Sequence, residues 1–340
     1  MKDRHFYRTF FSMYFVLVFQ NVISLSVNLA DNIMLGAYSE VSLSGVAAVN
    51  QIQFIYQQLL TAAGDGMVIF CSQYWGKKQL EPVKKIAATA MHTGLVFAAA
   101  LWYVLRKEPN LKMRISDYFR TDRLLRRDYF KTTVPMLIVQ GLWGLNTAMQ
   151  TVILGHMTAR AIAANSAASN LFLMVKSMAV GASSAASVLI GKTIGEGDLK
   201  KVHLYARRLQ KMFVVIGIVS GVFLYFLRIP VLSFYDLAPE TREMANRFLI
   251  ILSVICVTMS YQMPTNNGII RGGGNAMFVV RMDLISIWCI VIPLSFFMAF
   301  VVKASPVVVV CCLNADQVFK CIPAFLEVNY GKWVKKLTRE

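Results

Sequence analysis

Long apolar runs and short charged gaps alternate along this chain. Nine segments are predominantly apolar, at about 9–35, 43–72, 86–105, 132–154, 161–190, 212–235, 247–270, 282–302 and 305–328. Most exceed the roughly 20 residues that an α-helix, rising ~1.5 Å per residue, needs to cross a ~30 Å hydrocarbon core. The pattern predicts an all-α polytopic membrane helix bundle of about nine helices. The N-terminal run carries Gln20 and Asn21, continues too long for a signal peptide and has no small-residue cleavage site, so it reads as a retained first span.

The gaps differ sharply in charge. Residues 1–8, 76–85, 106–131, 191–211, 271–283 and 332–340 hold 28 of the 35 Lys and Arg, whereas 36–42, 155–161, 228–247 and 303 hold five. Basic gaps alternate with poor ones, as cytoplasmic and outer loops do under the positive-inside rule, and both termini are assigned to the cytoplasm. The most basic gap, Arg106–Lys131, holds nine of these residues and no apolar run. It reads as a cytoplasmic linker (106–131) between an N-terminal membrane lobe (1–105) and a six-helix C-terminal membrane lobe (132–340). One segment breaks the alternation. Ile86–Leu105 is long enough to cross, yet it is flanked by basic gaps on both sides. The charge rule and the length rule conflict there, and the segment is expected to be tilted, re-entrant or poorly inserted.

Composition removes the alternative of two soluble domains: 56% of residues are apolar, 16% are charged and mean hydropathy is +0.54. A net charge of +17 would suggest nucleic acid in a soluble protein, but here the basic residues sit between spans and no nucleic-acid motif accompanies them. The six cysteines lie in or beside apolar segments without a CxxC pair and read as buried free thiols. No phosphate-loop, paired-carboxylate or Ser-His-Asp pattern is present, and nothing argues for an enzyme, cofactor or metal.

The chain also repeats itself. GAYSEVSLSGVAAVNQ from Gly36 aligns with GHMTARAIAANSAASN from Gly155, and QYWGKKQLEPVKKIA from Gln73 with KTIGEGDLKKVHLYA from Lys192. One offset of 119 pairs Gly36 with Gly155, Gly76 with Gly195, Leu80 with Leu199 and Val83 with Val202. By charge both copies share one orientation, which is a parallel repeat about the membrane normal.

Polar residues inside the spans supply the candidate chemistry. Asp31 lies near the outer end of the first span with Asn28 one turn before it. A carboxylate at membrane depth costs several kcal/mol unless paired, solvated or protonated, so Asp31 is either an ion-coupling group or an interfacial residue bonded to local backbone. Asn50, Gln51, Gln140, Asn146, Asn165, Asn170 and Asn266 are too many for lipid-facing surfaces, and they line a wet cavity or join helices. Asn50-Gln51 falls on Ser169-Asn170 at the same offset. Lys176, mid-span, requires a polar interior or a snorkelling path.

The stretches ADNIMLGAYSEVSLSGVAAVNQ, QYWGKK, VPMLIVQGLWGLNTAMQTVILG, IGKTIGEGD, GIIRGGGNAM and DLISIWCIVIPLSF, in this order, resemble the MATE (multidrug and toxic compound extrusion) family of antiporters. The resemblance implies two six-helix lobes of a parallel repeat joined by a cytoplasmic loop. It further implies export of small organic, often cationic compounds in exchange for protons or sodium, with the family's first-helix acidic residue falling on Asp31. It implies no cofactor beyond the coupling ion, a multi-pass site in the plasma membrane (a bacterial inner membrane) and a monomer in the lipid bilayer. The chain departs from the family in its first lobe, where TAMHTGLVFA runs into AALWYVLRKEPNL with about three helices' worth of sequence missing between. The family's fifth helix is then absent, and SVICVTMSYQMPTNNG, matching the tenth, has no acidic residue. Two other readings stay open: a lipid-linked saccharide flippase of the related superfamily, and an inactive deletion product or non-transporting membrane protein.

Overall fold

The computed structural model describes residues 6–23, 66–93, 156–233 and 238–335, with scattered positions at 61, 64 and between 123 and 154. All regular structure among them is helical. Three helices come from the N-terminal part: α1 (6–23), α2 (66–76) and α3 (Leu80–Thr93). Five follow: α4 (Ala159–Gly195), α5 (Leu199–Ser233), α6 (Pro239–Ile270), α7 (Ala276–Val301) and α8 (Pro306–Tyr330). Each of these five is long and apolar enough to cross a bilayer. The first eight residues of the segment expected to insert poorly, with the basic residues Lys84 and Lys85 before them, belong to α3, and 94–105 lie outside the described residues.

The apolar runs marked the centres of these helices and missed their ends. The gap expected over 191–211 is a turn at 196–198, because α4 runs on to Gly195 and α5 starts at Leu199. With 37 residues, α4 is ~55 Å long, well beyond a hydrocarbon core, so its polar end is helix rather than loop. The expected outer gap 228–247 contracts in the same way. Arg228 stays in α5, buried, with its guanidinium 3.6 Å from the Tyr225 ring centre and its Nε donating to Asn246 Oδ1 at 3.0 Å.

Local chemistry sets the boundaries. Thr158 is extended and its Oγ1 accepts from the Ala161 amide at 3.1 Å, capping α4. Asp198 caps α5 by accepting from the Lys201 amide at 3.0 Å. Pro239 and Pro306 occupy first helical positions, where a missing N–H costs nothing. The turn after α4 repeats two hydrogen bonds of the turn after α2. Glu196 donates to Lys192 O (3.0 Å) as Lys77 does to Gln73 O (3.2 Å), and Gly197 to Ile194 O (3.0 Å) as Lys78 does to Trp75 O (2.9 Å). Gly197 (φ +85°) and Lys78 (φ +60°) take the left-handed conformation at the same point. All four pairs keep the offset of 119, so the sequence repeat is a structural one.

Small residues govern how the helices meet. A Cβ at Gly217 or Gly221 of α5 would lie 2.9 or 2.5 Å from carbonyl oxygens of Val257 and Ser253 on α6. Glycines four apart let two backbones approach in lipid, where close packing replaces the hydrophobic drive. On α4, the buried Ala164, Ala168, Ala182 and Ala186 and Ser183 admit α6 in the same way, with Gly268 against Ser183. One apolar cluster joins α4 to α8 around Leu171, Leu224, Phe248, Val291 and Val309. A second lies at the basic end and includes Phe6, Phe10 and Tyr14 of α1 with Ile190, Phe213, Ile270 and Trp333. The outward face of α5 leaves Val215, Ile218, Val222, Phe226 and Ile229 exposed, the surface a lipid-facing helix presents. Cys289 and Cys311 are likewise exposed, which corrects the expectation of buried thiols: they sit on outward faces.

Three stretches, Pro264–Ile270, Ile285–Val291 and Phe297–Val301, widen into π-helical turns, with Arg271 N donating to Asn266 O (2.9 Å) and Val302 N to Phe297 O (3.1 Å). Pro264 opens the first, where its missing N–H would break an ordinary turn. The glycines of the stretch GIIRGGGNAM form a tight turn at 271–274, with Gly274 at φ +96° and its amide donating to Arg271 O at 2.9 Å.

Candidate functional site

Charged side chains inside these spans converge on one place. α8 carries Asp316 and Lys320 one turn apart, and α7 carries Asp283. Lys320 Nζ lies 2.8 Å from Asp283 Oδ1 and 3.0 Å from Asp316 Oδ2. Lys320 is buried (3% exposed), as is Asp316 (7%). Lys320 is ten residues from the Tyr330 end, and so ~15 Å in along the helix. Lys176, projecting from α4, is close enough to both Asp316 and Lys320 to interact with their charges. Lys320 and its two carboxylates therefore form one bonded set in which each buried charge has an opposite partner.

A line of amides runs from this set into the π-helical part of α6. Asn266 Nδ2 donates to Gln262 Oε1 at 3.1 Å, and Gln262 Nε2 donates to Gln317 Oε1 at 2.7 Å. Gln317 Nε2 then donates to Asp316 Oδ2 at 2.9 Å, the same oxygen that Lys320 holds. Each amide accepts from the one before and donates to the next, so the dipoles point their positive ends at the carboxylate and polarise one another. The far end is Asn266 Oδ1, buried and without a hydrogen-bond partner among the described residues. Chemically the assembly is a held charge cluster with exchangeable partners. A proton or monovalent cation reaching Asp283 or Asp316 would compete with Lys320 for its oxygens.

The residues singled out from the sequence distribute unevenly. Asn266 is a member of this line. Asn146 is buried, with Oδ1 unpartnered among the described residues, and Asn165 is half-buried on α4; neither joins the line. Asn170 lies on α4. Asp31, Asn28, Asn50, Gln51 and Gln140 lie outside the described residues. The sequence reading missed Asp283, Asp316 and Lys320. The stretch SVICVTMSYQMPTNNG, which has no acidic residue, lies in α6, whereas α7 and α8 supply both carboxylates. The available signal was Asp316 and Lys320 four apart within an apolar run.

Five helices long and apolar enough to span a bilayer, an internal repeat and a charge cluster within the spans define a multi-pass membrane protein. A family model described as MatE matches residues 17–109 and 135–297, three quarters of the chain, and the chain belongs to this family of transporters. The gap between the two matches falls on the basic linker. The first match covers 93 residues and the second 163, a shortfall of 70 in the first lobe. Among curated relatives, the chain is 23% identical over 247 residues to the "Uncharacterized transporter YisQ" of Bacillus subtilis (strain 168), covering 71% of this chain and 52% of that protein. It is 23% identical over 263 residues to the "Probable multidrug resistance protein NorM" of Thermotoga maritima, covering 76% and 56%. The chain thus spans about half the length of the curated relatives it matches. In fold it is similar to the outward-facing conformation of a multidrug resistance MATE family transporter of the MOP superfamily, with a TM-score of 0.84 at 11% identity, covering 98% of this chain and 96% of that one.

Proposed function

We propose that the chain is a secondary active antiporter that exports small organic, cationic compounds in exchange for protons or sodium, by rocking of its two lobes about a central cavity. The observation that carries this reading is membership of a transporter family in a chain whose spans hold titratable groups at membrane depth. Relatives named as multidrug resistance proteins favour the substrate class. Asp31, with Asn28, is the coupling group: it holds the ion in one state and releases it as substrate binds. Asn50, Gln51, Gln140, Asn146, Asn165, Asn170 and Asn266 line the cavity. The protein is a monomer in the cytoplasmic membrane, with both termini and the basic linker inside. Against the flippase reading, Lys320 is paired with both Asp283 and Asp316 rather than presented as a free cation.

The test is transport by the purified chain in liposomes, following a cationic dye under an imposed pH or sodium gradient. Gradient-driven dye movement is expected, and Asp31→Asn is expected to abolish it while the protein stays in the membrane. A parent chain that moves no dye under either gradient would refute the antiport reading. Undiminished coupled transport in Asp31→Asn would refute the role of Asp31 alone.

A further inference from the structure

The two copies of the repeat touch each other at their equivalent glycines. A Cβ at Gly76 would lie 2.1 Å from the Lys192 carbonyl oxygen and 2.9 Å from Gly195 Cα. A Cβ at Gly195 would lie 2.0 Å from the Gln73 carbonyl oxygen and 2.9 Å from Gly76 Cα. Gln73 and Lys192 are themselves repeat mates, so each helix end offers the other the same surface, as in an isologous dimer contact. One turn back, Gly191 faces its own mate, Ser72: a Cβ there would lie 1.9 Å from the Ser72 hydroxyl and 2.8 Å from Ser72 Cβ. The local two-fold axis of the repeat therefore passes between α2 and α4 at the basic end.

A strap from the chain's last described residues crosses this place. Trp333 is fully buried, with its ring 2.4 Å from where a Cβ on Gly273 would stand. The Lys335 amide donates to Gly273 O at 2.8 Å, and Lys335 O accepts from Gln73 Nε2 at 3.3 Å. The strap is thus bonded to the glycine turn of the C-terminal lobe and to α2 of the N-terminal part.

We propose that the reciprocal glycine contact is the cytoplasmic gate of the transport cycle, and that the strap is its latch. The inference rests on the antiport reading. Two lobes that rock must part somewhere along their common axis, and at the basic end this is the surface that lies on it. The contact is backbone on backbone, so its fit depends on two absent side chains. A single methyl at either glycine stands more than an ångström inside van der Waals contact with a carbonyl oxygen. Rigid helix ends cannot absorb that locally, so the lobes separate and the equilibrium moves toward the inward-open state.

Two measurements on the full chain, with native cysteines replaced, decide the matter. In the first, Ser72→Cys and Gly191→Cys are combined; their Cβ separation of 2.8 Å needs to widen by less than ~1 Å to reach disulfide range. Oxidation is expected to cross-link the pair and abolish dye transport, with recovery on reduction. Cross-linked protein that transports like its reduced form, or folded protein that does not cross-link, would overturn the gate. In the second, spin labels at Gln79 and Lys200, both exposed, report the distance across the contact in nanodiscs. Gly76→Ala and Gly195→Ala are each expected to remove the short-distance population, and an unchanged distribution would overturn the proposal. If the parent chain does not transport, the antiport reading fails, and the distance measurement still judges whether these glycines hold the lobes together.

Discussion

At the scale of single residues, Lys320 is the group on which the buried charges depend. Replacing it by Met leaves Asp283 and Asp316 without their shared cation inside an apolar lobe. Removing one partner from a buried ionic cluster costs about 3–5 kcal/mol, so Lys320→Met should lower the unfolding temperature of the purified protein markedly. Asp283→Asn and Asp316→Asn added to Lys320→Met remove the uncompensated charge and should restore much of the loss. A single mutant that melts with the parent would contradict a structural role for the cluster. Sequence reading found Asn266 because an amide in an apolar run stands out. It passed over Asp316 and Lys320 because basic residues were counted in the gaps, whereas these two lie inside the apolar run 305–328. Asp283 lay at the edge of what read as a loop, and only the helical start at Ala276 brings it inside.

At the scale of elements, the two repeat turns allow a paired experiment. Gly197 and Lys78 occupy one position in the two copies, at φ +85° and +60°. Left-handed backbone costs an L-residue with a Cβ roughly 1–2 kcal/mol, so Gly197→Ala should destabilise the C-terminal lobe by about 1 kcal/mol. Lys78→Gly relieves the same strain but adds unfolded-state freedom, and a gain of about 0.5 kcal/mol or less is expected. Thermal or chemical unfolding of the two variants checks the opposite signs. The hydrophobic pattern located every described span. Helix ends escaped it, since basic extensions such as Leu199–Lys211 keep helical hydrogen bonding while losing their apolar periodicity. The π-helical turns escaped it too, because a proline in a span predicts a kink without saying how the backbone relieves it.

At the scale of the whole molecule, charge distribution predicts the sidedness. A cysteine at Ile115 should resist an impermeant maleimide applied to intact cells, and one at Ser39 should react. Labelling at Ile115 from outside would reverse the topology. The family and its parallel repeat were legible because motif order and a single offset survive where identity is low. The charge conflict around Ile86–Leu105 and the 70-residue shortfall in the first family match fall in the same lobe.

The pairing of Asp316 with Lys320 on one helix also bears on how that helix is made. A lone charge at the centre of a span costs ~2.5–3.5 kcal/mol to insert during synthesis, and α8 carries two. Because the two are bonded one turn apart at 3.0 Å, α8 carries within itself a counter-ion for its central lysine, and its one further charge, Glu327, lies near the Tyr330 end. α7, made earlier, meets it afterwards, and Lys320 then gains Asp283 as a second partner. The bond within α8 needs only that helix to be formed, whereas the bond between α7 and α8 needs the two helices to have packed.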